Sequence, residues 1–163
     1  VRGYVAPIQL DRSECQLSEA WREAWELLFN QRRGRDAQLR ELPHTVDLHC
    51  DIDRFRIVQV FRNLLENSLA ACHDPALIEI ACSKSQLHGR EALRISVRDN
   101  GPGLTAEQRA RLFEPFYTTK TQGTGLGMPI AMRIVAAHEG DLVVGDHGPP
   151  GAELIVTLPR HKP

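Results

Sequence analysis

The sequence predicts an α/β (α+β) two-layer sandwich, a mixed, mostly antiparallel sheet of about five strands packed on about three helices. Three observations predict it. Three segments place apolar residues at three- and four-residue steps, the period of a helix with one buried face. Other segments alternate apolar and polar residues between turn-forming clusters, as strands do. The two kinds follow one another in mixed order, with strands adjoining through short turns, which argues against a doubly wound parallel sheet.

"VRGYVAPIQLDRSE" is read as a linker over residues 1–7 that runs into a short strand. "LSEAWREAWELLFNQR" sets Leu17, Ala20, Trp21, Ala24, Trp25, Leu28 and Phe29 on one helical stripe, with Ser13 or Ser18 as candidate cap and both tryptophans in the core. Arg32, Arg33 and Arg35 read as a solvated helix end. "TVDLHCD" alternates as a strand, and "IDRFRIVQVFRNLLENSLAAC" is a strongly periodic helix starting near Asp53. "ALIEIACS" and "EALRISVRD" are neighbouring strands. "MPIAMRIVAAH" is a third helix, with Pro129 in its first turn and Gly140 at its end. "DLVVGD" and "AELIVTL" close the chain as strands joined by the turn "HGPPG".

Bulk properties narrow the function. A chain of 163 residues is read as one domain over 1–163, with ordinary hydrophobic (42%) and charged (25%) content. A formal net charge of -1 and no long basic run point away from nucleic acid and from membrane contact. Cys15, Cys50, Cys72 and Cys82 form no CxxC pair, and His44, His49 and Cys50 lack ligand spacing. A reducing, cytoplasmic setting is therefore expected, without structural zinc or disulfides.

The segment from Gly101 to Gly127 is rich in Gly, Pro and Thr yet carries Leu112, Phe113, Phe116 and Tyr117, so it is predicted as a long functional loop. Chemistry-bearing residues flank it. Asn63 and Asn67 lie four apart and project from one helix face, at the border of the apolar arc. Such a face is ordinarily solvated. An amide oxygen there is also a neutral, hard ligand for Mg²⁺, which keeps most of its waters and takes one or two protein oxygens plus substrate phosphates. "DNGPG", Asp99 to Gly103, ends a strand and is good turn chemistry. Equally, its carboxylate can accept from an exocyclic amine, and its glycines let backbone pass close to a flat base. In "LFEPFYTTK", Lys120 follows an aromatic pair and stands where it can meet a phosphate. "GTGLGM", residues 123–128, leads into a helix, and backbone N–H groups at such an end suit an anion. Two rivals fail. A dinucleotide fingerprint needs a third glycine where Met128 stands, and a Walker loop needs a Gly-Lys pair that the chain lacks.

Together these residues resemble the ATP-binding catalytic domain of sensor histidine kinases, part of the ATPase superfamily that includes gyrase, the mismatch-repair ATPases and a heat-shock chaperone. "RIVQVFRNLLENSLAA" looks like that family's asparagine box, "DNGPG" its first glycine box, "FEPF" its phenylalanine box and "GTGLGM" its second glycine box. They stand in the family's order, and the likeness runs from about Val5 to Pro159. The resemblance implies the Bergerat ATP-binding fold, with ATP and Mg²⁺ bound. Asn67 would ligate the metal, and Asn63 would hold phosphates and hydrated metal, forming the catalytic set with Lys120. Asp99 would bind the adenine amino group, with Gly101, Gly103 and Leu104 shaping the base pocket. Residues 104–123 would form an ATP lid anchored by Phe113 and Phe116, and Lys120 would reach the γ-phosphate. Gly123, Thr124, Gly125, Leu126, Gly127 and Met128 would cradle the phosphates, with Gly125 and Gly127 presenting N–H groups.

The implied partners are a histidine-containing dimerisation domain of the same parent protein, expected to lie outside this chain, and a response regulator receiver domain. The parent is compatible with membrane anchoring. Departures from the family pattern matter too. Ala70 stands where many members have a lysine, and Met128 replaces a common leucine. None of the seven histidines has the phosphoacceptor setting, since His138–Glu139 is followed by Gly140, Asp141 and Leu142 at a helix end. The fragment is thus expected to be inactive in autophosphorylation by itself. Two alternatives stay open: a serine kinase of the anti-sigma type, for which Glu66 one turn from Asn63 speaks, and a degenerate nucleotide-sensing scaffold, for which Ala70 speaks.

Overall fold

The computed structural model describes residues 6–118, 125–146, 148 and 150–161. Strand β1 (Ser13–Gln16) leads directly into helix α1 (Leu17–Leu27), and a short α2 (Phe29–Arg32) follows. Next come β2 (Ala37–Glu41), β3 (His49–Ile52) and the long helix α3 (Arg54–Ala71). The long strands β4 (Ala76–Leu87) and β5 (Arg90–Asp99) form a hairpin. Helices α4 (Ala106–Arg111) and α5 (Gly127–Ala137) precede the closing strands β6 (Asp141–Val144) and β7 (Glu153–Pro159).

The main sheet has five strands in the order β2-β4-β5-β7-β6, antiparallel throughout except for the β2–β4 pair. That is the two-layer, mostly antiparallel architecture the sequence predicts. Its membership differs, however. β2 carries only Ala37 and Leu39 as apolar residues on a half-exposed edge, too faint a pattern to read from sequence. The "TVDLHCD" strand instead begins at His49 and pairs with β1 in a separate two-stranded ribbon.

Helix α3 packs between α1 and α5 and covers the sheet. Its apolar stripe, Ile57, Phe61, Leu64 and Leu65, is fully buried against Ile78, Ile80, Leu93, Ile95 and Val156. Trp21 of α1 is also buried and meets Phe61 edge-on at 5.7 Å between ring centroids. Trp25 is half-buried, with the Arg32 guanidinium 4.7 Å above its ring.

Several local expectations change. Neither Ser13 nor Ser18 caps α1; Gln16 occupies that position without a side-chain bond, and Ser18 is buried. The N–H of Leu17 continues the β1–β3 ladder to Leu48 O at 2.9 Å, so a hydroxyl cap is not needed there. The first helix also breaks at Leu28, whose fully buried side chain sits at a non-helical ψ of 19°. Arg35 is not simply solvated. Its guanidinium donates to Leu69 O at 2.5 Å and Cys72 O at 2.7 Å, placing a cation on the C-terminal carbonyls of α3. Asp53 caps the other end of α3, accepting from Arg56 N–H at 3.1 Å.

Candidate functional site

The C-terminal end of β5 delivers Asp99 into a buried position, 6% exposed. One carboxylate oxygen, Oδ1, accepts from Gly101 N–H at 3.0 Å and from Ala152 N–H at 3.1 Å. The Asp99 N–H donates to Ala152 O at 3.0 Å. Two hydrogen bonds on Oδ1 hold the group in one orientation, and no backbone N–H among the described residues takes up Oδ2. The turn beyond is equally tight. A methyl group on Gly101 would stand 3.2 Å from Asp99 Oδ1 and 3.3 Å from Cys72 Sγ, and Gly103 has a φ of +83°. Asn100 is structural: its amide accepts from Leu77 N–H and donates to Pro75 O, both at 3.0 Å.

Residues outside the motifs complete this wall. Gly151, at φ +85°, lies so close beneath β5 that a Cβ there would stand 1.7 Å from Asp99 O. With Ala152 it brings the β6–β7 connection against the aspartate. The Gly-Pro-Pro-Gly turn was legible in the sequence; its meeting with Asp99 was not. Cys72, at the C-terminal end of α3, faces the same turn, and burial pushes its thiol up to about 11. A small depression of about 120 Å³ opens here, lined by Gly103, Leu104, Arg109, Gly151 and Glu153 among others. The larger one, about 500 Å³, lies away from Asp99, between Ala6–Gln9 and residues of α3 and α5.

Helices α3 and α5 run antiparallel, because Asp53 at the start of α3 meets His138 at the end of α5. Gly127, the first residue of α5, therefore comes beside Asn63; a Cβ on it would lie 3.4 Å from Asn63 Oδ1. The Asn63 amide nitrogen Nδ2 is buried and has no hydrogen-bond partner among the described residues. An unpaired buried donor costs on the order of 1–3 kcal/mol, so an acceptor on that side would be rewarded. Asn67, one turn on, is half-exposed on the same helix face. Glu66 accepts from Gln31 of α2 at 3.4 Å. Leu126 caps α5 without a side-chain bond.

The segment between these walls is not a plain loop. Thr105 and Gln108 form a reciprocal capping box, at 2.8 Å and 3.1 Å, that starts helix α4. Leu112 is buried and Phe113 packs partly on the core, with Leu104 beside them. Phe116 is not an anchor in the expected sense, since its ring is 75% exposed. Its backbone does the holding: Phe116 N–H donates to Gly125 O at 2.9 Å, and Gly125, at φ +73°, is pressed against it. Arg109 ties α4 to the β6–β7 connection through Gly145 O at 3.1 Å and Asp146 at 2.8 Å. Lys120, Gly123 and Thr124 lie outside the described residues. Met128 is buried in the core at the start of α5.

The family described as histidine kinase-, DNA gyrase B-, and HSP90-like ATPase matches residues 52–162, which includes α3, the Asp99 turn and α5. The chain belongs to this ATPase family. Among curated relatives of this ATPase domain, the sensor histidine kinase ZraS of Escherichia coli (strain K12) is 30% identical over 155 residues, 95% of this chain and 32% of ZraS. The chain thus spans a third or less of the length of such relatives. Among solved structures, the nucleotide-free catalytic domain of histidine kinase ThkA superposes with a TM-score of 0.80 at 31% identity, covering 93% of this chain and 97% of that one. Full-length ShkA in complex with AMPPNP matches with a TM-score of 0.75 at 27% identity, covering 97% of this chain and 33% of that one. ThkA in complex with the response regulator protein TrrA matches with a TM-score of 0.74 at 27% identity, covering 93% and 42%. The fold is that of histidine kinase catalytic domains.

Proposed function

We propose that this chain is the ATP-binding catalytic domain of a two-component sensor histidine kinase, which presents the γ-phosphate of ATP to a histidine on a separate dimerisation domain. The observation that carries the reading is the unpaired, buried Asn63 amide beside Gly127 at the start of α5. Asp99, held by two backbone N–H groups, supports it from the other side of the site.

In this reading Asp99 Oδ2 accepts from the adenine amino group and sets the base. The turn at Gly101 and Gly103 gives the ring a close approach to backbone. Asn63 donates through Nδ2 toward the phosphates, and the N-terminus of α5, with Gly125 and Gly127, turns N–H groups the same way. Asn67 would hold Mg²⁺ through its amide oxygen, and the ion, when bound, neutralises charge that develops on the phosphates. The donor set fits this group, since a neutral amide oxygen on a half-exposed helix face leaves room for the ion's waters. Lys120 supplies a positive charge to the γ-phosphate in the same scheme. Asn63 cannot take a proton at neutral pH, so water is not activated at this position, and the phosphate waits for the partner's histidine. The phosphorylated partner would in turn serve a response regulator receiver domain. The setting is cytoplasmic.

The test is binding of a fluorescent ATP analogue to the intact chain, with and without Mg²⁺, beside an Asn67→Ala variant. Mg²⁺ should strengthen binding at least about tenfold in the wild type, and the variant should lose most of that gain. Brisk ATP turnover by the chain without a partner, or Mg²⁺ dependence unchanged in the variant, would sink the assignment.

A further inference from the structure

Cys15 on β1 and Cys50 on β3 are direct partners in the antiparallel ribbon, so their side chains leave the same face. Asp51 N–H donates to Arg160 O at 2.8 Å, away from β1, so Cys50, one residue earlier, turns its N–H and C=O toward β1. Leu17 N–H reaches Leu48 O at 2.9 Å in the same phase. The cysteines therefore form a hydrogen-bonded pair, for which Cα atoms stand about 5.5 Å apart. That falls within the roughly 4.4–6.8 Å that a disulfide spans. The other two cysteines have no such partner: Cys82 faces Ile95 across the β4–β5 ladder, and Cys72 ends α3.

The two thiols differ in access. Cys50 is fully buried, while Cys15 is half-exposed, with its Sγ 3.4 Å from Ser13 O. We propose that the pair is an oxidation site at which a hydroperoxide links Cys15 to Cys50 in a reducible disulfide. The thiolate of Cys15 attacks the peroxide O–O bond, forming an S–O bond and releasing hydroxide, which takes up the proton the thiol lost. The Cys50 sulfur then attacks the Cys15 sulfur. The S–S bond forms, the S–O bond breaks, and the hydroxyl leaves with the Cys50 proton as a second water. Two thiols are oxidised by two electrons, and one hydrogen peroxide is reduced to two waters.

The strand geometry makes the bond reversible. Opposed Cβ atoms in a ladder stand about 4.5–5.5 Å apart, whereas a disulfide wants about 3.5–4.5 Å. Closing it requires the strands to draw together, and β3 is held on its far side by Arg160. The short β1 must therefore supply the movement, and a strained bond of this kind is readily reduced. Burial pushes the Cys50 thiol up to about 12, so Cys50 meets the oxidised Cys15 as a thiol and brings the proton that leaves in the second water. Once formed, the link fastens the strand that starts α1 to the strand that runs through Asp53 into α3. None of this depends on nucleotide binding.

The test treats the intact chain with hydrogen peroxide, alkylates remaining thiols after unfolding, and maps peptides without reduction. We expect two of the four thiols to be lost, a Cys15–Cys50 linked peptide in at least about tenfold excess over any other pairing, and full recovery with a dithiol reductant. A Cys72→Ser/Cys82→Ser variant should form the same link, and Cys15→Ser, a near-isosteric change at a half-exposed position on the edge of the core, should abolish it. Scrambled cysteine pairing, or Cys15 sulfinic acid accumulating while Cys50 stays reduced, would overturn the proposal.

Discussion

The two sides of the candidate site are held by different kinds of force. On the Asp99 side, a buried carboxylate, two backbone N–H groups and the close passage of Gly151 under β5 leave almost no freedom. On the other side, residues 104–118 carry a six-residue helix, an exposed Phe116 ring and ion pairs open to solvent. Solvent-exposed pairs such as Arg109–Asp146 and Arg111–Glu114 contribute about 0–1 kcal/mol each. The first side is thus built as part of the fold, and the second as a segment pinned to the core at Leu112 and Phe113 whose solvent-facing remainder can be rearranged at smaller cost. In the proposed reading, a site with one rigid wall and one less firmly held wall would fix a nucleotide's base while admitting and releasing it.

The sharpest way to break this contrast is a matched pair of glycine substitutions. Both Gly151 and Gly125 have positive φ, and both would press a new Cβ into backbone. Gly151→Ala should cost about 3 kcal/mol or more in chemical denaturation, because a strained φ adds to a clash with β5 itself. Gly125→Ala should leave the global unfolding free energy within about 1 kcal/mol of wild type and raise hydrogen exchange only around Phe116 and Tyr117. Equal global losses would erase the distinction drawn between the two walls.

A smaller effect is expected from Asp99→Asn. The amide oxygen can still accept from Gly101 and Ala152, so stability should change by less than about 1 kcal/mol. Affinity for an adenine nucleotide should fall by about 1.5–3 kcal/mol, or roughly ten- to hundredfold, as the charge-assisted bond is lost. Calorimetric titration beside thermal melting separates the two numbers. A protein that unfolds yet binds normally when folded would show that Asp99 is only structural.

The smallest effect concerns the far end of α3, where α5 closes on it, away from the Asp99 turn. His138 is 1% exposed, and its Nε2 accepts from Asp53 N–H at 3.0 Å while Nδ1 lies 2.9 Å from Ile134 O. Burial holds its imidazole below the ordinary range, with Arg12 adding to this and the Ile134 carbonyl, Asp53 and Asp51 opposing it. The unfolded chain therefore binds the proton more readily than the folded one. The stability this supplies is complete above the unfolded value of about 6.5 and declines as pH falls below it. Melting temperature should drop as pH falls from about 6.5 to 5.5, and His138→Gln, with a starting loss of about 1 kcal/mol, should flatten that slope. A variant profile parallel to wild type would remove His138 as the cause.

Much of this protein was written in local pattern. The periodic stripe of α3, the alternation of β4, β5 and β7, and the spacing of Asn63, Asn67, Asp99 and the glycine-rich run all follow from interactions between residues near in sequence. Helical and strand periods act over a few residues, so one chain displays them directly. Local pattern was insufficient where a distant segment supplied the missing partner. β2 becomes a strand because β4 offers it a parallel ladder, α1 starts without a hydroxyl cap because Leu48 satisfies its first N–H, and Arg35 finds the carbonyls of α3. The same holds for the candidate site: sequence supplied Asp99, and tertiary structure brought Ala152 and Gly151 to fix it and Gly127 to face Asn63. Side-chain type sets what chemistry is available, but the orientation of a buried polar group is decided by whichever backbone the fold carries to it.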